Sequence, residues 1–161
     1  IIHILLDNLR SVFNVGSIFR TANGAAVAHI YCCGTTPTPE HPKFIKSGLG
    51  ADETVSWTYS RNGLLTVKNL IADRFHIISL EISSNSNSIF GFFQQTTNQN
   101  RVLLVVGNEV SGIDPVILAL SDSRVHIPML GIKTSLNVSI AAALAMYAYR
   151  FKLISTQVSA T

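Results

Sequence analysis

Residues 125–149, VHIPMLGIKTSLNVSIAAALAMYAY, restrict this chain more than any other stretch. They read as a short strand, a tight loop, and a helix that begins at Leu136 and stays apolar on every face to Phe151. A helix at a protein surface carries one apolar stripe, so a helix apolar all round belongs in an interior or against a second subunit. Its 16 residues, with Asn137 and Ser139 in the first turn, fall short of the roughly 20 apolar residues of a membrane span. In the loop, Gly131 permits positive φ or the close approach of a ligand. Thr134, Ser135 and Asn137 offer oxygens to cap the helix start. A polar turn feeding a buried helix suits a small-molecule site.

The rest of the chain alternates. Residues 1–6 form a β-type run, and residues 12–26 place Val12, Val15, Ile18, Phe19 and Ala22 at helical spacing. Asn8 or Ser11 can cap that helix, and Gly16 and Ser17 inside it point to close packing or ligand approach. A second strand at 27–33 leads into a turn-rich loop at 34–42, with three prolines. A short helix at 43–47, a strand at 54–58, a helix at 63–73 and a buried strand at 75–82 follow. Residues 89–100 read as mostly irregular. Residues 102–106, VLLVV, form a continuous apolar run that suits a central parallel strand covered on both faces. Asp114 then caps a helix whose first residue is Pro115 and which ends near Ser121. The last strand covers 124–128. This order predicts one α/β domain over residues 1–161, a mostly parallel sheet with helices on both faces. Ligands in such sheets sit beyond the carboxyl ends of strands, here 80–83, 107–112 and 128–135.

Charged residues make up only 13% of the chain, against about 25% in ordinary domains, which predicts covered surface and hence self-association. A net charge of +3 permits nucleic-acid binding without establishing it. Cys32 and Cys33 are adjacent, poor partners for each other, and read as buried free thiols of a reducing cytoplasm. His29 with Cys32 lacks a second ligand pair, so no metal site is expected.

Three clusters carry the candidate chemistry. The first is Asn8, Asn14, Gly16 and Arg20 within LDNLRSVFNVGSIFRTANGA; the second is VGNEVSG at 106–112; the third is IPMLGIKTSLNVS at 127–139. Singly, each has a plain structural explanation: a surface ion pair for Arg20, a loop or helix cap for Glu109, Ser135 or Asn137. A dinucleotide fingerprint is absent between the first strand and helix, and Gly131–Thr134 does not supply a phosphate-binding loop.

In this order and spacing the clusters resemble the SpoU (TrmH-like) branch of the SPOUT superfamily of methyltransferases, from Asn8 to Tyr149. The resemblance implies a C-terminal deep trefoil knot, one of the rare exceptions to unknotted chains. It also implies S-adenosylmethionine as cofactor, a homodimer packed partly through the last helix, and methyl transfer to a ribose 2′-hydroxyl of RNA without a metal. Leu80, Gly107, Asn108, Ile127, Met129, Ser135 and Leu136 would surround the cofactor. Asn14 and Arg20 would face the ribose and its phosphate across the dimer, with Glu109, Ser135 and Asn137 supporting the site. A guanidinium rarely gives up its proton in a protein, so Arg20 is better suited to stabilising a developing alkoxide than to acting as a base. Asn8, Arg10, Arg20, Lys43, Lys46 and Lys133 are the candidate RNA contacts. Val110 departs from the glycine often found after the glutamate and is expected to stiffen that loop. With no N-terminal RNA-binding extension in this sequence, tRNA is favoured over ribosomal RNA; a catalytically inactive RNA-binding or assembly factor is the alternative.

Overall fold

The computed structural model describes residues 1–95 and 100–158, with side chains through residue 152. Seven parallel strands form one sheet: β1 (Ile2–Asp7), β2 (His29–Cys33), β3 (Trp57–Ser60), β4 (His76–Leu80), β5 (Asn87–Ser88), β6 (Val102–Val106) and β7 (Ser123–His126). Their spatial order is β3-β2-β1-β6-β4-β7-β5. The chain winds outward through β1, β2 and β3, then crosses to the other side of β1 for the remaining strands. β6 fills the centre between β1 and β4, and all five of its residues are buried, as expected of a strand covered on both faces.

Side chains alternate across the sheet. Ile4, Leu6, Ile30, Cys32, Ile78, Leu104 and Val106 face a layer made by α1 (Val12–Gly24), α4 (Ile89–Gln95) and α6 (Val138–Val158). Leu5, Cys33, Ile77, Leu103 and Val105 face α3 (Gly63–Ala72) and α5 (Pro115–Ala119). The two adjacent cysteines therefore enter opposite cores as free thiols. Burial pushes each thiol up to about 12, which suppresses the reactive thiolate.

Local chemistry sets the helix boundaries. Ser11 caps α1, its Oγ accepting the Asn14 N–H at 3.3 Å. At the other end, Arg150 of α6 donates from Nε to Ala25 O (2.8 Å) and from Nη2 to Ala26 O (2.6 Å), tying the last helix to the end of the first. Gly16 is buried in α1 because a Cβ there would strike Ser47 of α2 (Ile45–Gly48) and come within 2.8 Å of the Gly48 backbone. Asp114 caps α5, accepting the Val116 N–H at 2.8 Å ahead of Pro115.

Several expected boundaries shift. β3 starts at Trp57 rather than Thr54, because residues 51–53 form a 3-10 turn and Val55 is drawn into the α1-side core. The stretch that reads as irregular from residue 89 contains β5's neighbour α4, held by buried Ile89 and Phe93 one turn apart. Phe93 meets Tyr149 of α6 edge-on, with ring centroids 5.7 Å apart. Residues 96–99 of that stretch lie outside the described residues. α6 starts two residues later than expected and runs on to Val158. Through residue 152 it buries one face, with Ala142, Ala145, Met146 and Tyr149, while Ile140, Leu144, Tyr147 and Phe151 stand exposed on another. Among the described residues, no helix is long and apolar enough to cross a membrane.

Candidate functional site

The carboxyl ends of β4, β6 and β7 enclose a cavity of about 380 Å³. Its walls come from Leu80–Ile82 after β4, Val106–Val110 and Gly112 after β6, His126, Ile127 and Met129 after β7, and residues 135–138 with Ala141 at the start of α6. Such a volume suits a drug-sized ligand, and the lining has the usual makeup of apolar side chains with a few placed polar groups. The position also matches the rule for open α/β sheets, since β6 and β4 lie where the strand order reverses about β1.

The β6–α5 loop is shaped by two glycines. At Gly107 a Cβ would collide with the Gly112 carbonyl carbon and the Ile113 nitrogen, so the chain folds back directly over it. Gly112 takes positive φ (73°) and forms a bridge with Asn108, N–H to carbonyl in both directions at 2.9 and 3.0 Å. The Asn108 side chain completes the loop. Its Oδ1 accepts from Val110 N (2.8 Å) and Ser111 N (3.1 Å), and its Nδ2 donates to Asn8 O (2.6 Å). Val110 is 79% exposed and has no positive φ, so a β-branched residue is accommodated there; the left-handed residue of this loop is Gly112.

Glu109 reaches back to α1. Its carboxylate accepts the backbone N–H groups of Arg10 (2.9 Å) and Ser11 (3.1 Å) and the side-chain amide of Asn14 (3.0 Å). Burial raises its carboxyl pKa, but the hydrogen bonds from Asn14, Arg10, its own N–H and Ser11 outweigh that and leave it below the usual glutamate value. Asn14 in turn accepts from Asn137 Nδ2 at 3.1 Å. Asn137 is the cap of α6: its Oδ1 takes the Ser139 N–H (2.9 Å) and hydroxyl (2.7 Å). One hydrogen-bonded line, Asn137–Asn14–Glu109, thus joins the three sequence clusters at the pocket rim.

Leu80, Gly107, Asn108, Glu109, Ile127, Met129, Ser135, Leu136 and Asn137 all line the cavity. Asn14 stands just behind it, bonded to Glu109 and Asn137 of its own chain rather than set apart from them. Arg20 does not reach this group. It lies on α1 six residues past Asn14, about 9 Å along the axis, exposed and without a hydrogen bond or ion pair among the described residues. Arg10, Lys43, Lys46 and Lys133 are likewise exposed. Asn8 is held in a structural role. Its φ is 55°, its Nδ2 donates to Asp7 Oδ1 (2.9 Å), and its Oδ1 accepts from Thr35 N (3.1 Å). Gly131 has no positive φ, and the space its added Cβ would occupy is open. The loop instead exposes Leu130 and Ile132 almost fully.

Glu81 and His126 line the cavity but carry no signal in the sequence. Glu81 Oε2 accepts the Ile113 N–H at 3.1 Å, bracing the β6–α5 loop from β4. His126 Nδ1 pairs with Ser86 Oγ at 2.9 Å. Among the described residues, no group of three or more His, Cys, Asp or Glu is placed to hold a metal ion.

A parallel α/β sheet with its pocket built from the three strand ends nearest the reversal, and closed by the cap of the final helix, defines a ligand-binding domain of the α/β class. The particular family follows from comparison: residues 1–147 match the SpoU rRNA Methylase family, and the chain belongs to it. The tRNA (guanosine(18)-2′-O)-methyltransferase of Aquifex aeolicus is 27% identical over 150 residues, covering 89% of this chain and 66% of the relative. The 23S rRNA (guanosine(2553)-2′-O)-methyltransferase RlmP of Bacillus subtilis is 26% identical, over 91% of this chain and 57% of the relative. The SpoU methyltransferase AviRb of Streptomyces viridochromogenes, solved in complex with AdoMet, superposes with a TM-score of 0.85 at 25% identity, over 95% of this chain and 60% of that one. The chain therefore spans between about half and two thirds of the length of these relatives.

Proposed function

We propose that this chain transfers a methyl group from S-adenosylmethionine to a ribose 2′-hydroxyl of RNA, with tRNA as the favoured substrate. The observation that carries this is the Asn137–Asn14–Glu109 line along the rim of a cofactor-sized pocket. The names of the tRNA and 23S rRNA 2′-O-methyltransferases it resembles support the reaction, and the AdoMet complex of AviRb supports the cofactor.

The cavity fits such a cofactor on its own features. Apolar Leu80, Ile127, Met129 and Leu136 offer surface for a purine, and loops folded as tightly as that at Gly107 present backbone groups to it. When bound, the cofactor supplies an electrophilic sulfonium methyl. The protein itself has to place an RNA oxygen in line with that methyl and to offset the charge that develops there. Asn14, fixed at both ends of its amide, is a rigid positioning residue. Arg20, a charged side chain with no partner of its own among the described residues, is suited to the RNA phosphate and the developing alkoxide. Arg10, Lys43, Lys46 and Lys133 add exposed positive charge for the RNA backbone.

A homodimer belongs to the same proposal. Ile140, Leu144, Tyr147 and Phe151 recur every three or four residues, so they make an exposed apolar stripe on α6 of the kind that a second copy covers. Within one chain, Arg20 is offset from Asn14 by six residues of α1; a dimer would bring an Arg20 from one copy to the other's pocket. The C-terminal trefoil threading is likewise carried over from the family and is consistent with α6 returning to α1 after β7 has entered the sheet between β4 and β5.

The test is calorimetric titration with S-adenosylmethionine beside a solution mass, followed by radiolabelled methyl transfer to total tRNA and ribosomal RNA fragments. Saturable binding to a dimer and labelling of tRNA is the expected result. A folded chain that binds no cofactor would be a catalytically inactive RNA-binding or assembly factor, and labelling of ribosomal RNA alone would reverse the substrate preference.

A further inference from the structure

Three polar side chains lining the pocket have their hydrogen-bonding groups occupied within the protein. Asn108 is consumed by Val110, Ser111 and Asn8, and Glu109 by Arg10, Ser11 and Asn14. Asn137 is held by Ser139 and Asn14. Glu81 differs. Its Oε2 accepts the Ile113 N–H, and its Oε1 accepts no hydrogen bond among the described residues. The carboxylate lies flat against Gly112: a Cβ there would stand 2.6 Å from Oε2 and 3.2 Å from Oε1. Gly112 and Glu81 both line the pocket, so the half-buried carboxylate stands at its wall. The Glu81 N–H is anchored to Val125 O at 2.9 Å, which fixes its backbone between β4 and β7.

An ionised carboxylate is an acceptor only, and it takes hydroxyl donors in strong, short hydrogen bonds. A carboxylate at a strand end is also how many parallel α/β domains hold the ribose of a nucleotide. We infer that Glu81 is a specificity residue of this pocket, its free Oε1 accepting from the vicinal 2′- and 3′-hydroxyls of the cofactor's own ribose. The inference rests on the cofactor proposed for this pocket. Through Oε2 the same side chain holds Ile113 and the loop carrying Asn108 and Glu109, so ribose occupancy is coupled to the loop that positions Asn14.

The test compares binding of S-adenosylhomocysteine and its 2′,3′-dideoxy analogue to the wild-type chain and to Glu81→Gln, by calorimetry. Homocysteine at the sulfur removes any attraction of the carboxylate for a sulfonium. Glutamine keeps an oxygen for the Ile113 N–H. The expected result is a loss of tenfold or more for the ribose compound on substitution and under twofold for the dideoxy analogue. Glu81→Asp, which keeps the charge but withdraws it by one methylene, should lose the same discrimination, and it serves if the glutamine variant unfolds. Equal losses for both ligands would show a bracing role alone and overturn the inference, as would no loss. A wild-type chain that binds neither compound overturns the proposed cofactor and this inference with it.

Discussion

Asn14 Nδ2 donates to Glu109 Oε1 at 3.0 Å across 95 positions of sequence, and the same amide accepts from Asn137 at its other end. The helix that carries Asn14 is thereby docked on two pocket loops at its first turn, where the partial positive charge of α1 also favours the Glu109 carboxylate.

Replacing Asn14 by Ala should leave the fold and impair the chemistry. Glu109 keeps its two backbone donors, so the stability loss should be about 1 kcal/mol, a Tm shift of roughly 2–4 °C for a domain of this size. Methyl transfer should fall more than tenfold with S-adenosylmethionine affinity within about threefold of wild type. Parallel calorimetry and turnover measurements check this; equal falls in affinity and rate would mean that Asn14 shapes the pocket and does not position RNA.

Gly107→Ala should act the other way round, on the pocket itself. The added methyl meets backbone at Gly112 and Ile113, which cannot rotate aside, so the loop must open. Overpacking of this kind costs about 1–3 kcal/mol. Cofactor binding should be lost at concentrations that saturate the wild type, while thermal melting still shows a cooperative transition.

Leu144→Glu places a charge in the middle of the exposed apolar stripe of α6, where Leu144 is 38% exposed and lies outside the buried core of the single chain. Sedimentation should show a folded monomer in place of a dimer, with RNA methylation abolished. An unchanged mass would mean that another surface pairs the copies.

Stability should fall in mild acid through His3. Burial, reinforced by His29, Arg101 and the N-terminal amine, pushes its pKa down to about 4 from an ordinary 6.5. Its folded pKa is below its unfolded one, so its contribution is complete above pH 6.5 and declines as pH falls towards 4. Discounted for partial exposure, the effect should be about 1–2 kcal/mol. His3→Phe, packed on Phe75 as the imidazole is at 4.6 Å, should flatten that part of the Tm-against-pH curve relative to wild type; parallel curves would place the acid sensitivity elsewhere.

The sequence is legible where a pattern runs long enough to exclude alternatives. Residues 102–106 have no polar position, and β6 is the central strand. The three clusters are recognisable because several polar types recur at fixed spacing, and the fold draws them together at one rim. α4 is not legible because its seven residues bury only Ile89 and Phe93, with Phe92 packed partly against the core, a short signal that Gly91 further dilutes. Glu81 is a single acidic residue at a strand end, and nothing local distinguishes it from a solvated one. The polarity of Asn8 is visible in the sequence and its backbone is not: only the structure shows the φ of 55° of a turn residue. Gly131 is a glycine that contacts within the chain do not require.

The bond between Asn14 and Asn137 also sets a clock. The two residues are 123 positions apart, so at about 5–20 residues per second a ribosome needs roughly 6 to 25 seconds to make the second after the first. For that interval α1 exists without the helix cap that holds Asn14, and the apolar surface that α6 will cover is bare. Contacts of such long range also fold slowly once the chain is complete. The rim therefore has no partly assembled form: the line from Asn137 to Glu109 closes only once α6 has been made, and until then the α1 face stays open to chaperones.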